Sequence, residues 1–384
     1  MSWKEKTVEQ SREEFVVAAL SGEESISELC RRAGISRPTA YKWIQRYQAG
    51  ELLSDRSHAP HSHPNQTPPE MEALILETRT KHPTWGGRKL IRHLQDKGYQ
   101  GLPAASTATE ILRRGDCISP EESKAHTPYQ RFQREEPNQL WQMDFKGHFA
   151  MANGGRCHPL TMSDDCSRKL LCLDAYDNER WSSVERSLLR VFSEYGLPDA
   201  ILSDNGPPWA DHTSGYTPYE VWMMQLDILP IHGRALHPQT QGKEERFHRT
   251  LKEDVLKRYT LHDLVETQSV FDTYRKEYNT ERPHAAIGYD VPEKHYRVSQ
   301  RRLPSTWGEP EYPAGVTLRK VNCKGYLSIQ NHRYYLSESF AGKYVELLFR
   351  TGNKVRVCYG NYKIAKIDLD EKLFVSRKIY PRNL

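Results

Sequence analysis

The spacing of apolar residues changes twice along the chain. Up to about residue 115, apolar positions recur every three to four residues, as in helices that bury one face. Residues 7–21 form the first such stretch, with Val8, Phe15, Ala19 and Leu20 among its apolar positions. In SISELCRRAGISRPTAYKWIQRY, Ser27 is placed to cap a short helix packed through Leu29. Gly34 supplies a turn plugged by Ile35, and Ser36 with Pro38 starts a second helix. That helix is expected to bury Ala40, Ile44 and Tyr47 and to expose Arg37, Thr39, Lys42 and Arg46. The pattern is that of a helix-turn-helix, whose second helix enters the major groove of DNA. Residues 69–115 repeat this logic. One helix opens at Pro69 and runs through Leu74, Ile75 and Thr78. A second, after Trp85-Gly86-Gly87, carries Leu90, Ile91 and Leu94, and a third ends near Arg113 and Arg114.

From Leu140 the period falls to two. LWQMDFKGHFAM places Met143 and Phe145 on one face of a strand and Asp144 on the other. A strand pair is expected across HPLTMSDDCSRKLLCLDAY, then a helix from Trp181 to Tyr195. A short buried strand follows at Ala200–Ser203, with Asp204 at its carboxyl end, where ligands gather in open α/β sheets. A helix near 217–226, a strand at 228–231 and a helix at 263–278 complete this region. Within Leu236–Lys252 (LHPQTQGKEERFHRTLK), Pro238 suits a helix start. There Phe247, Leu251 and Val255 form an apolar stripe, while Glu245, Arg249 and Lys252 share another face.

Beyond a Pro- and Arg-rich link at 297–314, alternation predicts an all-β end. Hairpins are expected in YLSIQNHRYYL and across Thr351-Gly352-Asn353, with Val355, Val357 and Tyr359 facing inward; a small barrel is the expected form. The chain thus divides into a helix-turn-helix unit (1–50), a linker (51–68), a second helix-turn-helix-like unit (69–118) and a second linker (119–136). An α/β core (137–296) and a linker with a small β-barrel (297–384) follow. The linkers are rich in Pro with Ser and His, or with Glu and Lys. Prolines between His58, His61 and His63 speak against a metal site there.

The 384-residue chain has a net charge of +5. The sign is unevenly spread: the core is acidic and both flanks are more basic, which suits a cation-binding centre between polyanion-binding modules. Seven scattered cysteines form no CxxC pair, as in a reducing cytosol. Neither a signal-peptide core nor a membrane-spanning run is legible.

Three carboxylates stand out by context: Asp144 on a strand, Asp204 just past one, and Glu245 on a helix face. Brought together, they would repel unless cations neutralised them, and oxygen-only ligands favour Mg²⁺ or Mn²⁺. Two such ions promote phosphoryl transfer, with Arg249 and Lys252 placed to hold a phosphate. Glu244, about 100° round the helix, leaves the Arg249–Lys252 face, so Glu245 is preferred. Asp164 and Asp165, in DDCSR, are expected to cap a turn and pair locally with Arg.

WQMDF, LSDNG, HPQTQGKEERFHRTLK and YNTERPH resemble the signature of bacterial insertion-sequence transposases with a retroviral-integrase-type DDE core. The resemblance implies a ribonuclease-H-like core with Asp144, Asp204 and Glu245 as catalytic metal ligands for two Mg²⁺ or Mn²⁺ ions. It also matches Lys252 to the family's basic residue one heptad after the acid. Gln241 departs from the usual Asn, and the spacing from Asp204 to Glu245 is long, with the extra length expected around Ala210–Tyr216. The partners implied are the terminal inverted repeats, target DNA and further copies of the chain in a synaptic multimer, with no membrane, in a bacterial cytoplasm at the nucleoid. The rivals are a DNA-binding regulator with a catalytically unused core and a metal-dependent nuclease that never joins.

Overall fold

The computed structural model describes residues 7–55, 66–118, 133–210, 215–233 and 242–382, apart from the Arg377 side chain. The described residues fall into two units, divided between Gln66 and Thr67. Most of both linkers, Leu236–Gln241 and residues 211–214 lie outside the described residues, so the expectations for Pro238, Gln241, the linker histidines and the extra loop length do too.

The first unit holds α1 (Val8–Ser21), α2 (Ile26–Ala33) and α3 (Arg37–Gln48) around Phe15, Val16, Leu29, Trp43 and Ile44. Ser36 caps α3 by accepting from the Thr39 amide, as its sequence position implies. At α2 the cap is Ser25 rather than Ser27, because Ser25 accepts from the Glu28 amide while Ser27 bonds Arg37. Trp43 takes the buried place expected for Tyr47, which is 39% exposed. The guanidinium of Arg12 lies 3.9 Å from the Trp43 ring centre, and the cations of Lys42 and Arg46 each lie 4.9 Å from it. Arg46 is therefore a correction to the exposed set. It reaches Glu51 at 3.2 Å, the Ser54 carbonyl at 3.1 Å and the Leu52 carbonyl, so its donors serve the fold.

The second unit begins with α4 (Pro69–Lys81), α5 (Gly87–Asp96) and α6 (Ala105–Arg114), packed about Ile75, Trp85, Leu90, Leu94 and Leu112. Gly87 is required where α5 crosses α6: a Cβ there would lie 2.6 Å from the Ala105 carbonyl oxygen.

The core is a mixed sheet of β1 (Trp141–Phe145), β2 (Phe149–Ala150), β3 (Arg156–Asp164), β4 (Leu170–Tyr176), β5 (Ala200–Ser203) and β6 (Leu229–His232). Its strand order is β2-β3-β1-β5-β6, with β4 also on β3. Strands β1, β5 and β6 are parallel, while β1 and β4 run antiparallel to β3. Helices α7 (Trp181–Tyr195) and α8 (Pro218–Gln225) cover one face, where Met143 and Phe145 join Leu188, Phe192 and Trp222. Helices α9 (Gly242–Leu251) and α10 (Leu264–Thr280) cover the other, where Phe247, Leu251 and Phe271 meet Cys157, Leu170 and Leu173. Period-two alternation in β1 thus puts Asp144 on the α9 side. One turn of π-helix, Lys252–Leu256, continues α9 and buries Asp254 and Val255.

Polar contacts dock the α4–α6 unit on this face. The Thr84 hydroxyl donates to Asp254 at 2.6 Å, Arg92 meets Asp290 at 3.1 Å and His82 meets Glu277 at 3.0 Å.

After the short helix α11 (Pro292–His295), the chain forms strands β7 (Leu318–Lys320), β8 (Tyr326–Ile329), β9 (His332–Tyr335), β10 (Tyr344–Arg350), β11 (Lys354–Tyr359), β12 (Tyr362–Asp368) and β13 (Leu373–Pro381). Both hairpins lie where alternation puts them, and Val355, Val357 and Tyr359 are fully buried. The expected barrel is not closed. Strands β13-β12-β11-β10-β7 form an open sheet, and β8-β9 pair only with each other. Its edge strand β7 has three residues, too few to zip the sheet shut across the twist.

Candidate active site

Two parallel strands set the first two acids side by side. In the β1–β5 register Gln142 faces Leu202, so Asp144 and Asp204 leave the ends of neighbouring strands two residues later. Asp204 is exposed, and its Oδ1 accepts the Asn205 amide at 2.6 Å. Asp144 is mostly buried. Burial pushes its carboxyl up to about 7, helped by the negative charges of Glu244 and then Asp204. The acids are close enough to repel. A hard divalent cation would relieve that repulsion, and an oxygen-only donor set suits Mg²⁺ or Mn²⁺.

Helix α9 seats on the sheet through Glu244, Phe247 and Leu251, spaced i, i+3 and i+7. Glu244 is 1% exposed. It accepts from the hydroxyls of Thr161, at 3.0 Å, and Ser163, two residues apart on the same face of β3. Burial raises its carboxyl to about 7, against the lowering effect of these bonds. Thr161 is also the cross-strand partner of Asp144, lying 3.0 Å from its carbonyl oxygen and 2.8 Å from His248 Nε2. The other ring nitrogen of His248 faces Asp144 Oδ2 at 4.0 Å. Burial brings His248 down to about 4, so its ring is neutral at pH 7.

Glu245 lies on the solvent side of α9 and meets Arg249 at 3.6 Å, so these two share a face as expected. Among the described residues, no three His, Cys, Asp or Glu side chains are grouped closely enough to hold a metal ion. Asp144 instead feels Glu244 and Asp204 through their charges and faces His248, while Glu245 lies one position along the helix. Lys252 is exposed and lowers the Lys146 amine, second to burial, which places both lysines at this end of β1.

Asp164 and Asp165 are structural. Asp164 accepts from Ser167 N and Oγ at 2.7 and 2.6 Å and from the Asn138 amide at 2.7 Å. Asp165 accepts from Gln142 at 2.5 Å, from the Arg134 amide at 2.7 Å and from Lys243. Asp165 thus has an ion-pair partner on α9, Lys243, which turn chemistry alone does not foretell. Reading the sequence for isolated acids also passed over Thr161, Ser163, His248 and Lys146. The two hydroxyls at period two in LTMSD were a legible sign of a polar strip facing Asp144.

On the other side of Asp204, His232 bridges three elements. Its Nδ1 lies 3.2 Å from the Asp204 carbonyl oxygen and 3.3 Å from Ser203 Oγ, while its Nε2 meets Glu220 at 3.1 Å. Glu220 in turn closes the capping box of α8. The backbone that carries Asp204 is thus tied to a helix N-terminus.

A sheet of this order, with acids at the ends of its first and fifth strands and an acid-bearing helix across it, defines a ribonuclease-H-like core of the integrase type. The integrase core domain profile matches residues 134–238, and a second integrase core profile matches 226–292. A helix-turn-helix domain profile matches 11–61, and a homeodomain-like profile matches 39–112. An uncharacterized 31.7 kDa protein of insertion element IS407 from Burkholderia multivorans is 26% identical over 41% of this chain and 54% of its own length. The chain thus spans about half of that relative. An uncharacterized 39.2 kDa protein of insertion element IS476 from Xanthomonas euvesicatoria is 24% identical, covering 77% of this chain and 80% of the relative. The putative transposase for insertion sequence element IS5376 of Geobacillus stearothermophilus is 21% identical, covering 91% and 85%. Residues 134–292 thus match integrase core profiles, and over most of its length the chain is similar to proteins of bacterial insertion elements.

Proposed function

We propose that the chain is a polynucleotidyl transferase that cuts at the ends of its mobile element and joins the exposed 3′-hydroxyls to target DNA. The observation that carries this is the pair Asp144 and Asp204, set at the ends of adjacent parallel strands, where the charge of Asp204 adds to burial and to Glu244 in raising the Asp144 carboxyl. Asp144, Asp204 and Glu245 would hold the divalent ions, and Glu244 is the rival third ligand by its charge near Asp144 and its bonds to the neighbouring strand β3. When bound, such ions stabilise charge on the attacking and leaving oxygens of an in-line displacement. Water first breaks the phosphodiester at the element's end and leaves a 3′-hydroxyl. That hydroxyl then attacks a target phosphodiester, forming one P–O bond as another breaks, with the proton passing to solvent.

The chain's own residues orient these reactants. Thr161 holds the backbone carbonyl of Asp144 and His248 faces its carboxyl, His232 fixes the backbone of Asp204, and Lys146, Arg249 and Lys252 offer cations to the DNA phosphates. Arg37, Thr39 and Lys42 on α3 are the proposed readers of the terminal repeats, and synapsis of two ends requires a multimer. An assay with Mg²⁺, labelled element ends and a target plasmid tests this. Full strand transfer by Asp204→Asn would sink the mechanism, and nicked but never joined products would favour a nuclease.

A further inference from the structure

A second charged cluster lies away from the acids, where α5 and α9 meet the chain after α10. The α5 face that carries Lys89, Arg92 and His93 (i, i+3, i+4) runs along residues 281–290. Arg92 reaches Asp290, and His93 Nδ1 lies 3.3 Å from the Glu281 carbonyl oxygen. Within that segment His284 packs edge-on against Tyr278, with ring centres 4.7 Å apart, and Tyr278 meets Phe247 of α9 at 5.2 Å. Arg246, next to Phe247, is exposed. Arg282 stacks between Trp85 and Tyr278, 5.9 and 5.8 Å from their ring centres.

Basic side chains thus gather where these three elements meet, and the carboxylate buried beside them is already committed. Asp254 takes Arg282 in an ion pair and accepts from Thr84 at 2.6 Å and Tyr274 at 3.0 Å. Among the described residues, neither Lys89 nor Arg246 has an ion pair, and His284 Nε2 is buried without a hydrogen-bond partner. The local charge is felt by its members. Lys89 is pushed down to about 7 by burial first, then by Arg282, with Arg246 adding to it. His284 is lowered by burial and then by Lys89, Arg282, Arg168 and Arg246. Partly buried cations without a counter-charge are costly, and an anion would repay them.

We infer that Lys89, Arg246 and His284 form a binding site for a backbone phosphate of double-stranded DNA at the junction of the α4–α6 unit and the core. The inference rests on the reading of the chain as a DNA transposase. It adds a contact that tracks the duplex from that unit toward α9. Arg246, one residue from Glu245, is the outer hand of the site. Lys89 is the inner one, and His284 closes it from behind. A phosphate oxygen restores the full charge of Lys89, and recognition there is independent of base sequence.

The test is binding of the full chain to an arbitrary 30-bp duplex in EDTA, titrated against salt. Lys89→Met and Arg246→Gln should each weaken binding, by about ten-fold at moderate salt. Each should also flatten the slope of log affinity against log salt by about 1, equally for all sequences. Lys89→Arg should restore the slope. Unchanged affinity and slope in Lys89→Met and Arg246→Gln, with wild type binding well, would overturn this site alone. Failure of wild type to bind any duplex would overturn the transposase reading with it. Arg246 is exposed, so Arg246→Gln keeps the test open even where Lys89→Met unfolds. A gain in melting temperature for Lys89→Met with no change in DNA affinity would mark the lysine as an unliganded structural residue and overturn the proposal.

Discussion

Two adjacent glutamates on α9 are held in opposite ways. Glu244 is buried and satisfied by two hydroxyls, whereas Glu245 is exposed and, among the described residues, held only by Arg249. The surface pair contributes little, so Glu245 is free to turn toward a ligand. Replacing Glu245 by Gln is expected to abolish strand transfer while leaving DNA binding intact. Glu244→Gln should lower it by about 10–100-fold, as losses of groups that orient ligands do. The reverse order of effects would move the third ligand to Glu244. Glu244 also gives a stability signature. Its folded carboxyl, like that of Asp144, sits at about 7, above the unfolded values near 4. The folded chain therefore keeps protons that the unfolded chain loses, and stability from these groups declines as pH rises from about 4 to 7. In EDTA, Glu244→Gln should raise the melting temperature at pH 8 more than at pH 5; an equal shift at both would refute this account.

At the level of elements, most of the fold was legible because period and caps agree. Trp181–Tyr195 and Ala200–Ser203 lie where the pattern puts them, and Phe247, Leu251 and Val255 are buried as a stripe. The site was legible only in part. Its two aspartates follow from strand position, but the environment of Glu244 depends on Thr161 and Ser163 from a distant strand. Helix spacing alone cannot say which of two neighbouring acids faces them. Likewise Tyr47 and Trp43 both fit the apolar stripe of α3, and the stacking of Arg12 decides between them. On that helix Lys42→Ala should reduce DNA affinity without destabilising the unit. Arg46→Ala should lower the melting temperature instead, since its donors close the 51–54 turn. In the π-turn, Asp254→Ala strands the buried Arg282 and should cost about 3–5 kcal/mol in urea unfolding.

Across the second unit, the open C-terminal sheet is anchored to the core rather than free. The Ser337 hydroxyl donates to the Tyr216 carbonyl at 2.6 Å, and Tyr216, Val221 and Met224 belong to the sheet's own apolar cluster. The α4–α6 unit is likewise fixed to the core, through Thr84, Arg92 and His82. Joined this way, the part proposed to hold DNA and the part proposed to cut it would act as a ruler. On that proposal, the number of base pairs between the gripped segment and the broken bond would be set by the protein, not by searching along the strand. Loosening the joint with Thr84→Val and Arg92→Ala together should leave overall cutting within a few-fold but blur its position. Cleavage products mapped at nucleotide resolution would then spread from a single band to a ladder, and a band as sharp as wild type would mean that the gauge lies elsewhere.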